Sequence, residues 1–449
     1  MSQLYSASAT REITPDPDDV VPMAGYGDPM ERPATAVHDT LTATAMVLSD
    51  GGTTIGILSA DLIGVPRELG ERVRKVLAAE GVQLDHLAVI ATHTHGGPAL
   101  PMVSRRSLDV DLSRTVDRIE RGFVESVTDA YERRESATIR IGRATNDVTA
   151  ENRRLAGGVN GGVRVPTGEI DPEVIVIDVE TATGGETVLY NYACHPVCTV
   201  GGETRLTADW PGHVARRIEE ETGATTMFLN GAAADINPRD RYADDRAGDA
   251  VYEYMADIGD EMTEAVREAR AVARDGHELE SVPVAGTHEE VSLELKAVPD
   301  RQILERRAEE LDEEITRLEA AGERRSFDVH YNRMNSLVGR LSGDRYWVRT
   351  MLKIADLGYS SIPATIQSLV IGPIGVLTMP GEVFVRHGLD FKAAAAAETL
   401  VPVGYANGYL GYIPTLDDLA NGGYEVNSCR LSPGGIRRFR ETALELVSP

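Results

Sequence analysis

Two hydrophobic periodicities take turns along this chain. Apolar residues alternate with polar ones over residues 42–48 and 54–58, either side of Asp50-Gly51-Gly52, which predicts a β-hairpin. Residues 66–79 instead carry apolar positions at steps of three and four behind Pro66, the pattern of a helix with proline at its start. A short continuous apolar run at 87–91 predicts a buried strand. Further strands are expected at 174–179, 187–193, 225–229, 286–295 and 366–377, and further helices at 116–132, 211–221, 247–272 and 383–397. Strands and helices interleaved in this way define an α/β chain, a mixed β-sheet core flanked by helices. With no internal repeat and no long Gly/Ser linker, residues 1–449 read as a single domain.

One stretch departs from that alternation. Between residues 299 and 325 charges crowd the sequence while Leu304, Ala308, Leu311, Ile315 and Leu318 recur at steps of four and three, a narrow helical seam. Residues 331–351 also have helical character, so 299–351 read as a helical-hairpin insertion. It has three readings: a lid over a cleft, a contact between copies in a homo-oligomer, or a cover for a sheet edge.

Charge narrows the partners. Lys and Arg total 45 against 71 Asp and Glu, a formal −26, which argues against nucleic acid or an anionic membrane as the main partner. Lys75, Lys296, Lys353 and Lys392 are the only lysines. A carboxylate-rich, lysine-poor surface suits a halophilic, salt-saturated cytoplasm, where screening suppresses self-repulsion; an acidic protein of a high-GC mesophile is the alternative. Residues 1–24 are polar and Pro-rich, and nothing reaches the ~18 apolar residues of a membrane span, so neither a secretory nor a transmembrane segment is expected and the localisation reads as cytoplasmic. Cys194, Cys198 and Cys429 form no disulfide framework and read as reduced, packed thiols.

The sharpest chemical signal is Thr92-His93-Thr94-His95-Gly96-Gly97-Pro98, directly after the strand at 87–91. Loops beyond strand ends are where α/β sheets build sites, and a His-x-His turn can bring both rings near one point, although either ring can equally serve a loop hydrogen bond. His195, in Asn191-Tyr192-Ala193-Cys194-His195-Pro196, also follows a strand and offers a third imidazole. Asp209 opens a helix at Asp209-Trp210-Pro211-Gly212, where an N-cap and a functional carboxylate are both open readings. The run from Asn230 to Pro238 is a small-residue loop that lets backbone amides approach a ligand. Near the end stand Met379-Pro380-Gly381-Glu382, Asn407-Gly408-Tyr409-Leu410-Gly411-Tyr412 and Tyr424-Glu425. Glu382 can be a hard oxygen ligand or a cap for the helix starting near Phe384.

Taken in order, these motifs resemble the neutral/alkaline (non-lysosomal) ceramidase family of zinc amidohydrolases. Arg11-Glu12-Ile13-Thr14-Pro15, Gly25-Tyr26-Gly27, His38-Asp39, Ser59-Ala60-Asp61-Leu62 and Glu151-Asn152-Arg153 look like that family's N-terminal landmarks, and the likeness runs from Arg11 to Tyr424. The resemblance implies one Zn2+ per chain on His93, His195, Glu382 and Tyr412, with His95, Arg153 and Tyr424 as catalytic groups that do not bind the metal. It implies hydrolysis of a linear N-acyl amide by hydroxide generated on the zinc, releasing a fatty acid and an amine, and hence a lipid-like or other small-molecule N-acyl amide substrate. A lactone or ester hydrolase and a non-catalytic, metal-stabilised binding protein are the alternatives. Two features depart from the longer members: Asn237 stands where they carry a serine, and the immunoglobulin-like C-terminal domain is expected to be absent.

Overall fold

The computed structural model describes residues 3–16, 19–26, 32–100, 110–154, 168–199, 202–241, 246–323, 327–328, 333–334 and 337–448. Gly27 of the sequence landmarks and Tyr331 at the start of the second insertion helix lie outside them.

Eight strands form the larger sheet, in the order Thr225–Asn230, Glu186–Tyr192, Glu173–Thr181, Glu135–Thr145, Tyr5–Glu12, Thr42–Ser49, Thr54–Ala60 and His86–Ala91. The outermost pair at each edge is parallel and the inner pairings are antiparallel, so the sheet is mixed. Side chains alternate across it, and both faces are apolar because both are covered. Ala43, Ala45 and Val47 point into a core shared with Leu69, Val73, Ile119, Phe123, Val214, Ile218, Ile258 and Met262, which line helices Arg67–Ala79, Ser113–Glu132, Asp209–Thr222 and Asp249–Asp275. Met46 and Leu48, on the opposite face, pack with Val284, Leu369, Ile371, Val376, Val401 and Val403. Those residues belong to a second sheet, in the order Val284–Glu294, Ser361–Ile371, Ile374–Thr378 and Thr399–Val403. Its far face carries Leu293, Ile366 and Leu377 against Phe391, Ile436 and Phe439 of helices Val385–Ala394 and Pro433–Val447. The layers therefore run helix, sheet, sheet, helix.

The predicted strand at 366–377 is two strands. Ser361–Ile371 and Ile374–Thr378 pair antiparallel about a turn at Gly372, whose φ of 58° favours glycine. Apolar residues on both sides of the turn hide the reversal, because both strands are buried between layers. Tyr5–Glu12 and Glu135–Thr145, in the middle of the large sheet, were not predicted; their partly exposed, polar positions break the apolar pattern. The insertion does contain two packed helices, Arg301–Ala320 and Leu337–Leu357. Leu304, Leu311 and Ile315 of the predicted seam are buried, and Arg345 and Arg349 both reach Asp312, at 3.1 and 3.2 Å. No helix among the described residues is long and apolar enough to cross a membrane.

The large sheet curls until its two edges touch. Ser59 Oγ donates to the Phe228 carbonyl at 2.7 Å, and Asn230 Nδ2 donates to the Thr92 carbonyl at 3.0 Å. This closure sets the loops after His86–Ala91 and after Glu186–Tyr192 beside each other, although those strands lie six places apart in the sheet order.

Candidate metal centre

Four loops leave the C-terminal ends of strands and converge. Two come from the large sheet and carry His93, His95 and His195; two come from the second sheet and carry Glu382 and the segment from Gly404 to Tyr412. The last of these loops seals the seam between sheets: Ala91 N donates to the Tyr405 carbonyl at 3.1 Å and Asn407 N to the Val89 carbonyl at 2.7 Å. Glu382 and Tyr412 are paired in register in a short parallel bridge.

The backbone is held in an uncommon form here. His93, Asp209, Tyr405 and Asn407 have φ of 71°, 60°, 57° and 55°, a left-handed conformation that costs a non-glycine residue on the order of 1 kcal/mol or more and that clusters at functional sites. Surrounding bonds fix it at His93, whose N–H donates to the Leu62 carbonyl at 2.9 Å. Its ring stacks on Tyr405, with centroids 4.1 Å apart.

Hydrogen bonds determine which ring nitrogen faces the centre. His93 Nδ1 lies 2.6 Å from the Ile63 carbonyl, and His195 Nδ1 lies 2.6 Å from the Ala233 carbonyl and 3.0 Å from that of Ile236. A carbonyl only accepts, so each Nδ1 carries a proton, and in that tautomer Nε2 is the nitrogen that turns a lone pair inward. Among the described residues both Nε2 atoms are buried without a hydrogen-bond partner, as is Glu382 Oε2. That oxygen lies 3.5 Å from His93 Nε2 and 3.3 Å from His195 Nε2. Burial draws the His195 pKa down to about 4, so the ring is neutral at pH 7. Lone pairs facing an anionic oxygen repel unless a cation lies between them. Ligands about 2.0–2.1 Å from a tetrahedral metal are about 3.3–3.4 Å from one another, so these separations fit a zinc-sized ion. The remaining oxygen, Glu382 Oε1, accepts from the Tyr409 hydroxyl.

His95 joins the group differently. The three imidazoles offer nitrogens within 4.8 Å of one another, a grouping that by itself makes His95 a possible third nitrogen ligand. Its two nitrogens, however, have no partner among the described residues, whereas His93 and His195 are each locked by a carbonyl as metal-bound histidines usually are. The inward-facing atoms His93 Nε2, His195 Nε2 and Glu382 Oε2 form a group of their own, with Glu382 Oε2 within 3.5 Å of both nitrogens. Burial, then the neighbouring His93 and His195, lower the His95 pKa well below its ordinary value. Gly25, with φ of 97°, packs on this ring; a Cβ there would lie 2.5 Å from His95 Nδ1.

A cation completes the cluster. Arg153 donates through Nε to Glu425 Oε1 at 2.8 Å, through Nη1 to Asn237 Oδ1 at 3.2 Å and through Nη2 to the Tyr412 hydroxyl at 3.2 Å. Burial alone would raise the Glu425 carboxyl, but Arg153 and Arg154 hold it down. Burial, reinforced by Glu382, raises the Tyr412 phenol well above its ordinary value. Tyr424 packs its ring 5.7 Å from that of Tyr412 and 5.2 Å from that of Tyr346, on the second insertion helix.

Several open readings close. Glu382 does not cap the following helix; Asp235 Oδ1 accepts from Val385 N at 2.8 Å in that place. Asp209 accepts from Trp210 N at 2.8 Å and from Cys198 N at 3.0 Å, which ties the His195 loop to a helix start. Cys194, Cys198 and Cys429 are buried and form no disulfide among the described residues, and burial pushes the Cys194 and Cys198 thiols up. Sequence reasoning missed Tyr409, Glu425 and Asn407 as supports; the Tyr409 and Glu425 motifs were visible, but nothing local marked what their side chains would hold.

A four-layer sandwich with an imidazole and carboxylate centre at converging strand ends defines the class of fold and site. Residues 8–240 match the family described as neutral/alkaline non-lysosomal ceramidase, N-terminal, and the chain belongs to that family, whose members are hydrolases. Among solved structures it is similar to neutral ceramidase from Pseudomonas aeruginosa, with a TM-score of 0.76 and 18% identity over 100% of this chain and 74% of that one. It is likewise similar to a ceramidase complexed with C2, with a TM-score of 0.75 and 17% identity over 100% of this chain and 75% of that one. At such identities the likeness is one of fold. No curated protein sequence matches the chain.

Proposed function

We propose that the chain is a zinc-dependent hydrolase of a linear N-acyl amide bond, releasing a fatty acid and an amine. The observation that carries the reading is the pair of carbonyl-locked imidazoles whose free Nε2 atoms face one carboxylate oxygen. In this reading His93, His195 and Glu382 hold one Zn2+ per chain with Tyr412 as a fourth, oxygen ligand. Zinc held there would lower the pKa of a coordinated water toward ~7 and polarise a carbonyl.

The remaining side chains act on the substrate. Arg153, fixed by Glu425 and Asn237, sets a permanent positive charge beside the Tyr412 phenol, where an acyl oxygen gaining charge is stabilised. As the new C–O bond forms and the C–N bond breaks, the leaving nitrogen needs a proton. His95 would carry it there from the attacking water: its lowered pKa leaves the ring neutral and able to accept that proton before passing one on, its nitrogens are uncommitted, and it adjoins both metal-binding histidines. Tyr424 packs against Tyr412 and lines the approach from the helical insertion, which on this reading borders the substrate path.

The whole chain acts as one catalytic domain on a ceramide or another N-acyl amide, such as an N-acylated amino acid or aminolipid, in a salt-rich cytoplasm. The test is to incubate zinc-loaded protein in high salt with a panel of N-acyl amides, including ceramides of several chain lengths, and to follow released fatty acid by mass spectrometry. Release by the wild type and none by a folded His93→Ala variant is expected. Lactone or ester cleavage without amide cleavage would replace the proposed substrate class.

A further inference from the structure

We propose that Asn237 is a substrate-contacting residue: its side-chain Nδ2 donates a hydrogen bond to the acyl oxygen as that oxygen gains charge, while its Oδ1 holds Arg153. This inference rests on the proposed amide hydrolysis and adds to it a residue that neither histidine motif nor metal chemistry identifies.

The orientation of the amide follows from its partner. A guanidinium only donates, so the Asn237 oxygen must face Arg153 Nη1, 3.2 Å away, and the nitrogen must face the other way. That nitrogen is buried and has no acceptor among the described residues. The side chain is wholly buried, and native proteins rarely leave such a donor unsatisfied without a ligand, water or function to explain it.

Position points to the substrate. Asn237 lies in the short strand Ile236–Pro238, paired opposite Glu151 of Ala150–Asn152, which immediately precedes Arg153. The preceding residue, Ile236, offers its carbonyl to His195 Nδ1 at 3.0 Å. Two consecutive residues thus orient a histidine of the centre and the cation beside it. The Arg153 group that Asn237 holds also reaches the Tyr412 hydroxyl, so a single guanidinium separates the Asn237 amide from the groups around the proposed acyl oxygen. A carboxamide has no hydroxyl to attack with, and its contribution is a preorganised donor fixed by a rigid strand.

Asn237→Asp separates the two roles, since it keeps an oxygen toward Arg153 and removes the N–H donor at nearly constant shape. Zinc-loaded wild type, Asn237→Asp and Asn237→Ala would be compared for amide hydrolysis and, by calorimetry, for binding of dodecylphosphonate, whose oxygens imitate the tetrahedral adduct. Loss of one preorganised donor predicts a fall of roughly 10²- to 10³-fold in kcat/KM and a comparable weakening of phosphonate binding for both variants, with zinc content and melting temperature retained. The loss should persist in concentrated KCl, where screening weakens any repulsion from the new carboxylate. Wild-type behaviour of Asn237→Asp in either measurement would overturn the donor role, and impairment of Asn237→Ala alone would reduce Asn237 to a support for Arg153. Absence of amide hydrolysis by the wild type would instead count against the proposed function, and phosphonate binding would still report on Asn237 separately.

Discussion

Glu382 Oε2 lies 3.3 Å from His195 Nε2, and neither atom has a hydrogen-bond partner among the described residues. Two buried groups this close would ordinarily share a proton. Here the imidazole proton is committed to carbonyls on the other side of the ring, so what the two atoms share is an unmet demand for positive charge. That relationship links the fold, which curls one sheet and stacks a second on it, to the chemistry proposed for the centre.

Tyr409 donates to the other oxygen of Glu382 and so selects which oxygen faces inward. Tyr409→Phe is expected to weaken zinc binding roughly 10- to 100-fold while the fold persists, the usual effect of removing a group that orients a ligand. Competition with a chromophoric chelator measures this; unchanged affinity would show that Glu382 is held by its backbone alone.

Asn407 fastens the tyrosine-bearing loop to both sheets. Its Oδ1 accepts from Val89 N at 3.1 Å and Arg74 at 2.9 Å, and its Nδ2 donates to Gln367 at 3.1 Å and Thr378 at 3.2 Å. Asn407→Ala leaves these buried partners unsatisfied at a position with φ of 55° and should destabilise by about 2–4 kcal/mol. Urea unfolding in high salt checks it, and a change under about 0.5 kcal/mol would contradict the assigned role.

Asp61 supports the His93 loop by accepting from Thr42 N at 2.8 Å and from Thr92 Oγ1 at 3.2 Å, and burial raises its pKa from 3.8 to about 6. The folded state therefore binds this proton more tightly than the unfolded chain does. Its contribution to stability falls as pH rises between about 4 and 6, by roughly 3 kcal/mol in total, and stays low above that window. In Asp61→Asn this part of the pH dependence should vanish; chemical unfolding at pH 5 and pH 7 gives the comparison, and an identical difference in both proteins would refute the assignment.

The −26 formal charge predicts a protein that repels itself in dilute buffer. Its melting temperature should climb as KCl rises from about 0.2 M to about 3 M, as screening shortens the range of that repulsion. A flat or falling dependence would remove the halophilic reading.

The parts of this site that could be read from sequence are those written in local pattern. Apolar runs ending in histidine marked the loops of His93 and His195, and the motifs around Glu382 and Tyr412 carried the family resemblance. The supports were not legible for physical reasons. The acceptors that orient the imidazoles, at Ile63, Ala233 and Ile236, are backbone carbonyls and could belong to any residue type. Curling of the large sheet, which brings Asn230 to Thr92, depends on contacts between its opposite edges. The reversal at Gly372 is masked because both strands are buried and equally apolar.

Metal analysis of protein purified without chelator tests the central claim most directly. Atomic spectroscopy should find about one zinc per chain in the wild type, and little in folded His93→Ala, His195→Ala or Glu382→Ala variants, because each removes one of the imidazole or carboxylate ligands. A wild type that holds no metal, or variants that keep a full complement of it, would contradict the account.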